Sequence, residues 1–209
     1  MKKTLLLLTL FLFVVAIKAQ DDFSFFNKTL PKVTVKLENF DPVKDGELEL
    51  KFVSVVPTPE RQAEKKMTPN NDGIAEFSPR YPIRYQQIWF SIGDYYYGEL
   101  IVDKDLRITA DLNKLRKKDI SFHTDLIKFG GADGALTAYV NQHISYEIPL
   151  RKNAPYSKMD IYMDREATAD QKAAKLKENF EYNKGIIEKF VAKNPSDFNS
   201  LSSTHECSD

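Results

Sequence analysis

The only tryptophan of this 209-residue chain, Trp89, stands among Tyr81, Tyr85, Tyr95, Tyr96 and Tyr97. No other stretch concentrates so many side chains able to do more than pack. Flat rings with polar tips can stack on a sugar or receive a partner. Strands also select aromatics for cross-strand pairing, worth about 0.2–1 kcal/mol per pair, and that plainer reading accounts for the same residues. Tyr85, Trp89, Tyr95 and Tyr97 form the candidate ligand or partner surface.

Other reactive types are scattered. Cys207 is the sole cysteine, so it has no partner for an intramolecular disulfide, a C-x-x-C pair or a multi-cysteine zinc site. No base can be named that would make it a nucleophile. His123 falls on a strand, His143 on the apolar face of a helix and His205 in the tail, without the neighbouring ligands a metal needs. Asp72 and Glu76 do not meet the alternating carboxylates and twelfth-position glutamate of a calcium loop. Asp94 and Glu99 could be paired as acid and base, but carboxylate pairs occur on any charged surface. The glycine-rich turn Gly130-Gly131-Ala132-Asp133-Gly134 precedes a helix, as phosphate-cradling loops do, yet lacks the Gly-Lys-Ser/Thr of a P-loop and the G-x-G-x-x-G spacing. No catalytic, metal or cofactor-binding residue is assigned, and no cofactor is expected.

The elements that must position these residues divide at the same glycines. Before them, apolar residues alternate: Val33, Val35 and Leu37; Leu48, Leu50 and Phe52; Ile88, Phe90 and Ile92; Leu106, Ile108 and Ala110. Ile120 with Phe122, and Leu126 to Phe129, continue the series. Asp45-Gly46 and Pro69-Asn70-Asn71-Asp72-Gly73 are turn signals, and Gly93-Asp94 joins two strands as a hairpin. Pro57 and Pro59 end a strand, and the charged run Glu60 to Lys66 reads as a solvated loop or short helical turn. In the strand 85–92, Gln87 and Trp89 face away from Ile88, Phe90 and Ile92. In the strand 95–102, Tyr95, Tyr97, Glu99 and Ile101 face away from Tyr96, Gly98, Leu100 and Val102. Several short strands at regular spacing predict an antiparallel sandwich or barrel over 20–130.

After the glycines, Leu136, Tyr139, Val140, His143 and Ile144 recur at three and four, one apolar face of a helix. Pro149 to Asp164 reads as a long loop with room for one short turn. Thr168 and Gln171 have capping-box spacing. The helix that follows carries Ala169, Ala173, Leu176, Phe180, Asn183, Ile187 and Phe190 as a seam. Packing against the first helix is the simplest use of that seam, and Asn194-Pro195 ends it. The fold class is therefore α+β: a β-domain, then a helical segment over 131–201, then a disordered tail over 202–209.

Composition narrows the function classes. Lys plus Arg and Asp plus Glu are each 30, so the formal charge is zero. That balance argues against a nucleic-acid partner, which needs a basic excess. Met1-Lys2-Lys3, the apolar run Leu5 to Ile17 and the small Ala19 read as a secretory signal peptide over 1–19. The run is shorter than the ~20 residues that span a bilayer, and no later stretch is apolar enough. The start resembles exported proteins of the Bacteroidetes, which places the mature chain in the periplasm or cell envelope of a Gram-negative bacterium.

Three motifs carry a family resemblance: Ile88 to Tyr97 continued through Ile108-Thr109-Ala110-Asp111-Leu112; Phe129-Gly130-Gly131-Ala132-Asp133-Gly134-Ala135-Leu136; and Phe190-Val191-Ala192-Lys193-Asn194-Pro195 through Leu201. They resemble the sheet-closing hairpin, the strand-to-helix junction and the helix junction in the N-terminal region of the TlpA/ResA-like thioredoxin-family thiol–disulfide oxidoreductases. The resemblance implies an exported, non-catalytic module truncated before its thioredoxin domain, with protein partners: its own missing domain or others of the envelope. In that family the redox centre is Trp-Cys-x-x-Cys, where a helix dipole lowers the thiol pKa. Here Trp89 lies on a strand and Cys207 is alone, so no catalytic residue carries over, and whether the chain is an enzyme stays open. The alternative is a free-standing exported sandwich that binds a glycan or peptide.

Overall fold

Alternation puts Val33, Val35 and Leu37 on the buried side of β1 (Lys32–Glu38), with Lys36 and Glu38 left in solvent. The same logic repeats along the chain in the computed structural model, which describes residues 25–56, 62–117 and 126–195. The further strands are β2 (Leu50–Val55), β3 (Gln62–Met67), β4 (Ile74–Phe77), β5 (Gln86–Ile92), β6 (Tyr96–Val102), β7 (Asp105–Asp111) and β8 (Ile127–Gly130). They form two four-stranded sheets, ordered β4-β1-β7-β8 and β3-β2-β5-β6. The inner faces meet in one core, where Phe52 of the second sheet stacks on Phe77 of the first at 4.3 Å. The fold is α+β, with the sheets arranged as a sandwich.

Four points refine or correct these expectations. First, the sheets are only mostly antiparallel: β1 pairs with β7 in parallel, Val35 opposite Ile108, because the chain leaves the first sheet after β1 and again after β4. Second, the turn at Asp45-Gly46 closes a short helix that the sequence reading did not foresee. Asp41 caps a short helix, α1 (Pro42–Asp45), by accepting from the Val43 and Lys44 amides, and carries the chain from one sheet to the other. Third, the charged run is not a loop from Gln62 onward. It is the edge strand β3, whose pairing with β2 is reinforced by Lys51–Glu64 at 2.8 Å and Lys66–Glu49 at 3.0 Å. Lysine and glutamate are ordinary on an edge, where they discourage further strand addition. Fourth, 149–164 is not one long loop, because 149–151 and 158–163 are helical. The first long helix, introduced below, runs through Pro149 to Arg151, where the Glu147 carboxylate accepts from Arg151 at 2.8 Å. A proline so near a helix end removes little of the ladder.

The remaining described elements are α2 (Leu112–Leu115), capped by Asp111; α3 (Gly134–Arg151); α4 (Lys158–Met163), capped by Ser157; and α5 (Ala169–Lys193). The capping box forms: the Thr168 amide donates to Gln171 Oε1 at 2.8 Å and the Gln171 amide to Thr168 Oγ1 at 3.3 Å. Asn194 ends α5, with its side-chain amide on the Phe190 carbonyl at 2.9 Å. The seam of α5 is used only in part. Phe190 packs against Tyr139, His143 and Tyr146 of α3, while Phe180 and Ile187 stay exposed. The readings of 1–19 as a signal peptide, of Pro57 and Pro59, of Ile120, Phe122 and His123, and of the tail with His205 and Cys207 lie outside the described residues.

Candidate functional site

The position of α3 sets the site. Gly131 turns the chain out of β8 with φ +85°, where a Cβ would lie 2.7 Å from the Asp105 carbonyl oxygen. A residue without Cβ is required there. The amides of this turn are already engaged: Ala132 with Asp105 Oδ1, Asp133 with the Asp105 carbonyl and Gly134 with the Gly131 carbonyl. They do not stand open to a phosphate.

From this turn α3 runs beside β6 and meets its edge with polar side chains. Asp133 Oδ2 accepts from the Asp103 and Lys104 amides at 3.0 and 2.8 Å. Thr137 Oγ1 accepts from the Ile101 amide at 3.2 Å and donates to its carbonyl at 3.0 Å. Asn141 Oδ1 accepts from the Glu99 amide at 3.1 Å, and its Nδ2 donates to the Glu99 carbonyl at 2.6 Å. Four helical residues advance about 6 Å and two strand residues about 6.6 Å. Steps of four along α3 therefore keep register with steps of two along β6. The helix occupies the hydrogen-bonding edge that a further strand would otherwise take.

Tyr96 joins this seam from the core side. Its ring crosses Gly98, where any Cβ would collide with it, and its hydroxyl donates to Asn141 Oδ1 at 3.2 Å. Burial pushes the Tyr96 phenol far above its ordinary range. Burial also raises Asp133, outweighing the amide bonds from Lys104 and Asp103, with the Asp103 and Asp105 carboxylates adding to the rise.

Farther along α3, Ile144, Ile148 and Arg151 stand across from the outer face of the second sheet. The space between is a groove of about 650 Å³. Its floor comes from neighbouring strands: Lys51 and Val53 of β2, Trp89 of β5, and Tyr97 and Glu99 of β6. Trp89 is opposite Glu99 in the ladder and Tyr97 opposite Ser91, so the two rings are diagonal neighbours. Trp89 is 48% exposed and Tyr97 43%. Beside them Gln87 Nε2 donates to Glu99 Oε1 at 2.6 Å. Partial burial raises the Glu99 carboxyl above its usual range, opposed by that hydrogen bond. Lys51 is paired with Glu64, and Arg151 with Glu147.

Of the four aromatics singled out in the sequence, the groove brings together Trp89 and Tyr97. Tyr95 lies elsewhere, packed against the core with the Arg116 guanidinium 5.8 Å from its ring centre, and Arg116 in turn pairs with buried Asp45. Tyr85 is exposed at the start of β5 with φ +50°. It lies outside the groove lining, with the Arg84 guanidinium 5.3 Å from its ring centre. Sequence reasoning missed Gln87 as a partner of Glu99, and it missed Ile144 and Ile148 as the opposite wall. Gln87 and Glu99 share the outward parity already read for Trp89 and Tyr97, so the strand pattern held that signal. The wall from α3 had none. His143 packs its ring on Phe190 at 5.1 Å, a packing role. Among the described residues no three His, Cys, Asp or Glu side chains gather as a metal site requires.

Fold and groove together define an α+β sandwich with an aromatic-lined groove between its second sheet and a helix. No protein-family model, curated protein or solved structure compared with the chain matches it.

Proposed function

We propose that this chain is an exported, non-catalytic binding module that holds a glycan or peptide in the groove between α3 and the second sheet. One observation carries the reading. Trp89 and Tyr97 keep large apolar surfaces in solvent along the floor of a concavity, beside a hydrogen-bonded amide–carboxylate pair. Binding sites combine apolar walls with a few oriented polar groups in this way. Export rests on the basic start and apolar run of residues 1–19. Glycan arrays and peptide pull-downs with folded protein test it, using a Trp89→Ala, Tyr97→Ala double variant as control. Signals that vanish in the double variant support the module; blank arrays and blank pull-downs remove it.

A second reading places the module beside a thioredoxin-like domain, its partner being that domain or another envelope protein. Its support is local. Phe129 to Leu136 is a strand-to-helix junction and Phe190 to Asn194 a helix end, the roles the resemblance implied for both motifs. That reading requires a Trp-Cys-x-x-Cys sequence encoded within roughly one or two domain lengths downstream. Genomic sequence without one removes the oxidoreductase connection.

A further inference from the structure

We infer that the groove selects a neutral oligosaccharide of a few rings rather than a peptide or an acidic sugar. The inference rests on reading the groove as the binding surface and names the class of its occupant.

The first argument comes from the backbone. A peptide that binds by strand addition needs a free sheet edge. The edge beside this groove is β6, and its Glu99 and Ile101 amides and carbonyls are occupied by Asn141 and Thr137. The floor strand β5 is paired on both sides, with β2 and β6. A peptide laid here finds no main-chain partners at those positions. A pyranose needs none, because it presents C–H faces to aromatic rings and hydroxyls to side chains.

Charge supplies the second argument. The two cations of the described lining are each paired with a carboxylate, Lys51 with Glu64 and Arg151 with Glu147. An acidic sugar would have to compete for them. The carboxylate left in the groove is Glu99, which repels a uronate and accepts from a hydroxyl. Size agrees: about 650 Å³ falls within the roughly 300–1,000 Å³ of small-ligand pockets.

Trp89 is the only tryptophan, so its emission reports on the groove in the full chain. The probes are neutral trisaccharides of hexoses, pentoses and N-acetylhexosamines, a trigalacturonate and an uncharged valine-rich hexapeptide. Saturable change with a neutral trisaccharide is expected. Calorimetry should then show Tyr97→Ala and Glu99→Ala each weakening that binding about tenfold or more. Both side chains are at least partly exposed, and circular dichroism confirms that the variants fold. Saturation by trigalacturonate or the hexapeptide alone overturns the neutral-sugar assignment and leaves the groove a binding surface. Silence from every probe overturns both.

Discussion

Strand β6 is held by two opposite chemistries. Its inner face, Tyr96, Leu100 and Val102, is buried in the sandwich core with Phe52, Ile88 and Phe90. Its edge is held by hydrogen bonds from Asp133, Thr137 and Asn141. The core gains about 25 cal/mol for each Å² of apolar surface removed from water and is indifferent to direction. The seam gains little net free energy per hydrogen bond, about 0.5–1.5 kcal/mol, but leaving a buried group unpaired costs about 1–3 kcal/mol. Apolar burial therefore drives the sheets together, while the seam fixes where α3 sits. By fixing α3 it also fixes the far wall of the groove.

The largest expected effect is on the core. Phe90→Ala should cost about 3–5 kcal/mol in urea unfolding, from lost transfer energy and the cavity left behind. A much smaller loss would mean that the sandwich can collapse around the gap. Next comes the seam. Asn141→Ala strands the Glu99 amide, the Glu99 carbonyl and the Tyr96 hydroxyl, for an expected loss of about 2–4 kcal/mol. Amide exchange at Glu99 and Ile101 should accelerate selectively; exchange that stays slow would show that the helix is held by something else. Gly131→Ala adds a Cβ at φ +85° against Asp105 and should cost about 1–3 kcal/mol, without altering the core's exchange pattern.

The smallest effect is electrostatic and belongs to the groove. Burial raises Glu99 above its ordinary value of 4.5, so the folded chain takes up the proton more readily than the unfolded chain. Stability relative to a Glu99→Gln variant should then fall as pH rises from about 4.5 through the folded value, and stay constant below it. Partial exposure and solvent screening hold the difference to about a few tenths of a kcal/mol. Parallel denaturation series across that window check the sign; a relative stability that instead rises with pH through the window would contradict the burial of Glu99.

Legibility in the sequence follows the same division. The inner faces were readable because period-two alternation is a local property, and Ile88, Phe90, Leu106 and Ile108 are buried as their spacing required. Alternation failed for β3, whose charged residues are held in a strand by pairing with β2, and for β4, which is too short to show a period. On α3 the apolar face was read correctly, and part of it packs on Phe190 of α5, but it is not the face that is most buried. Leu136, Tyr139, Val140, His143 and Ile144 are only half-buried, and the line that disappears from solvent is Gly134, Thr137 and Asn141. Small polar residues four apart look like a solvated face unless the unpaired edge they serve is known.

By itself the sequence determined the inward and outward sets of the strands, the turn at Gly73, the capping box at Thr168 and the outward placement of Trp89 and Tyr97. Each depends on residues within a few positions of one another, where sterics and hydrogen bonding act locally. Only the tertiary structure decided that β1 lies parallel to β7, that Tyr95 joins Arg116 while Trp89 joins Tyr97, and that α3 closes the edge of β6 and walls the groove. Those outcomes turn on which distant backbone groups are left without partners once the sheets have formed, and no local pattern records that.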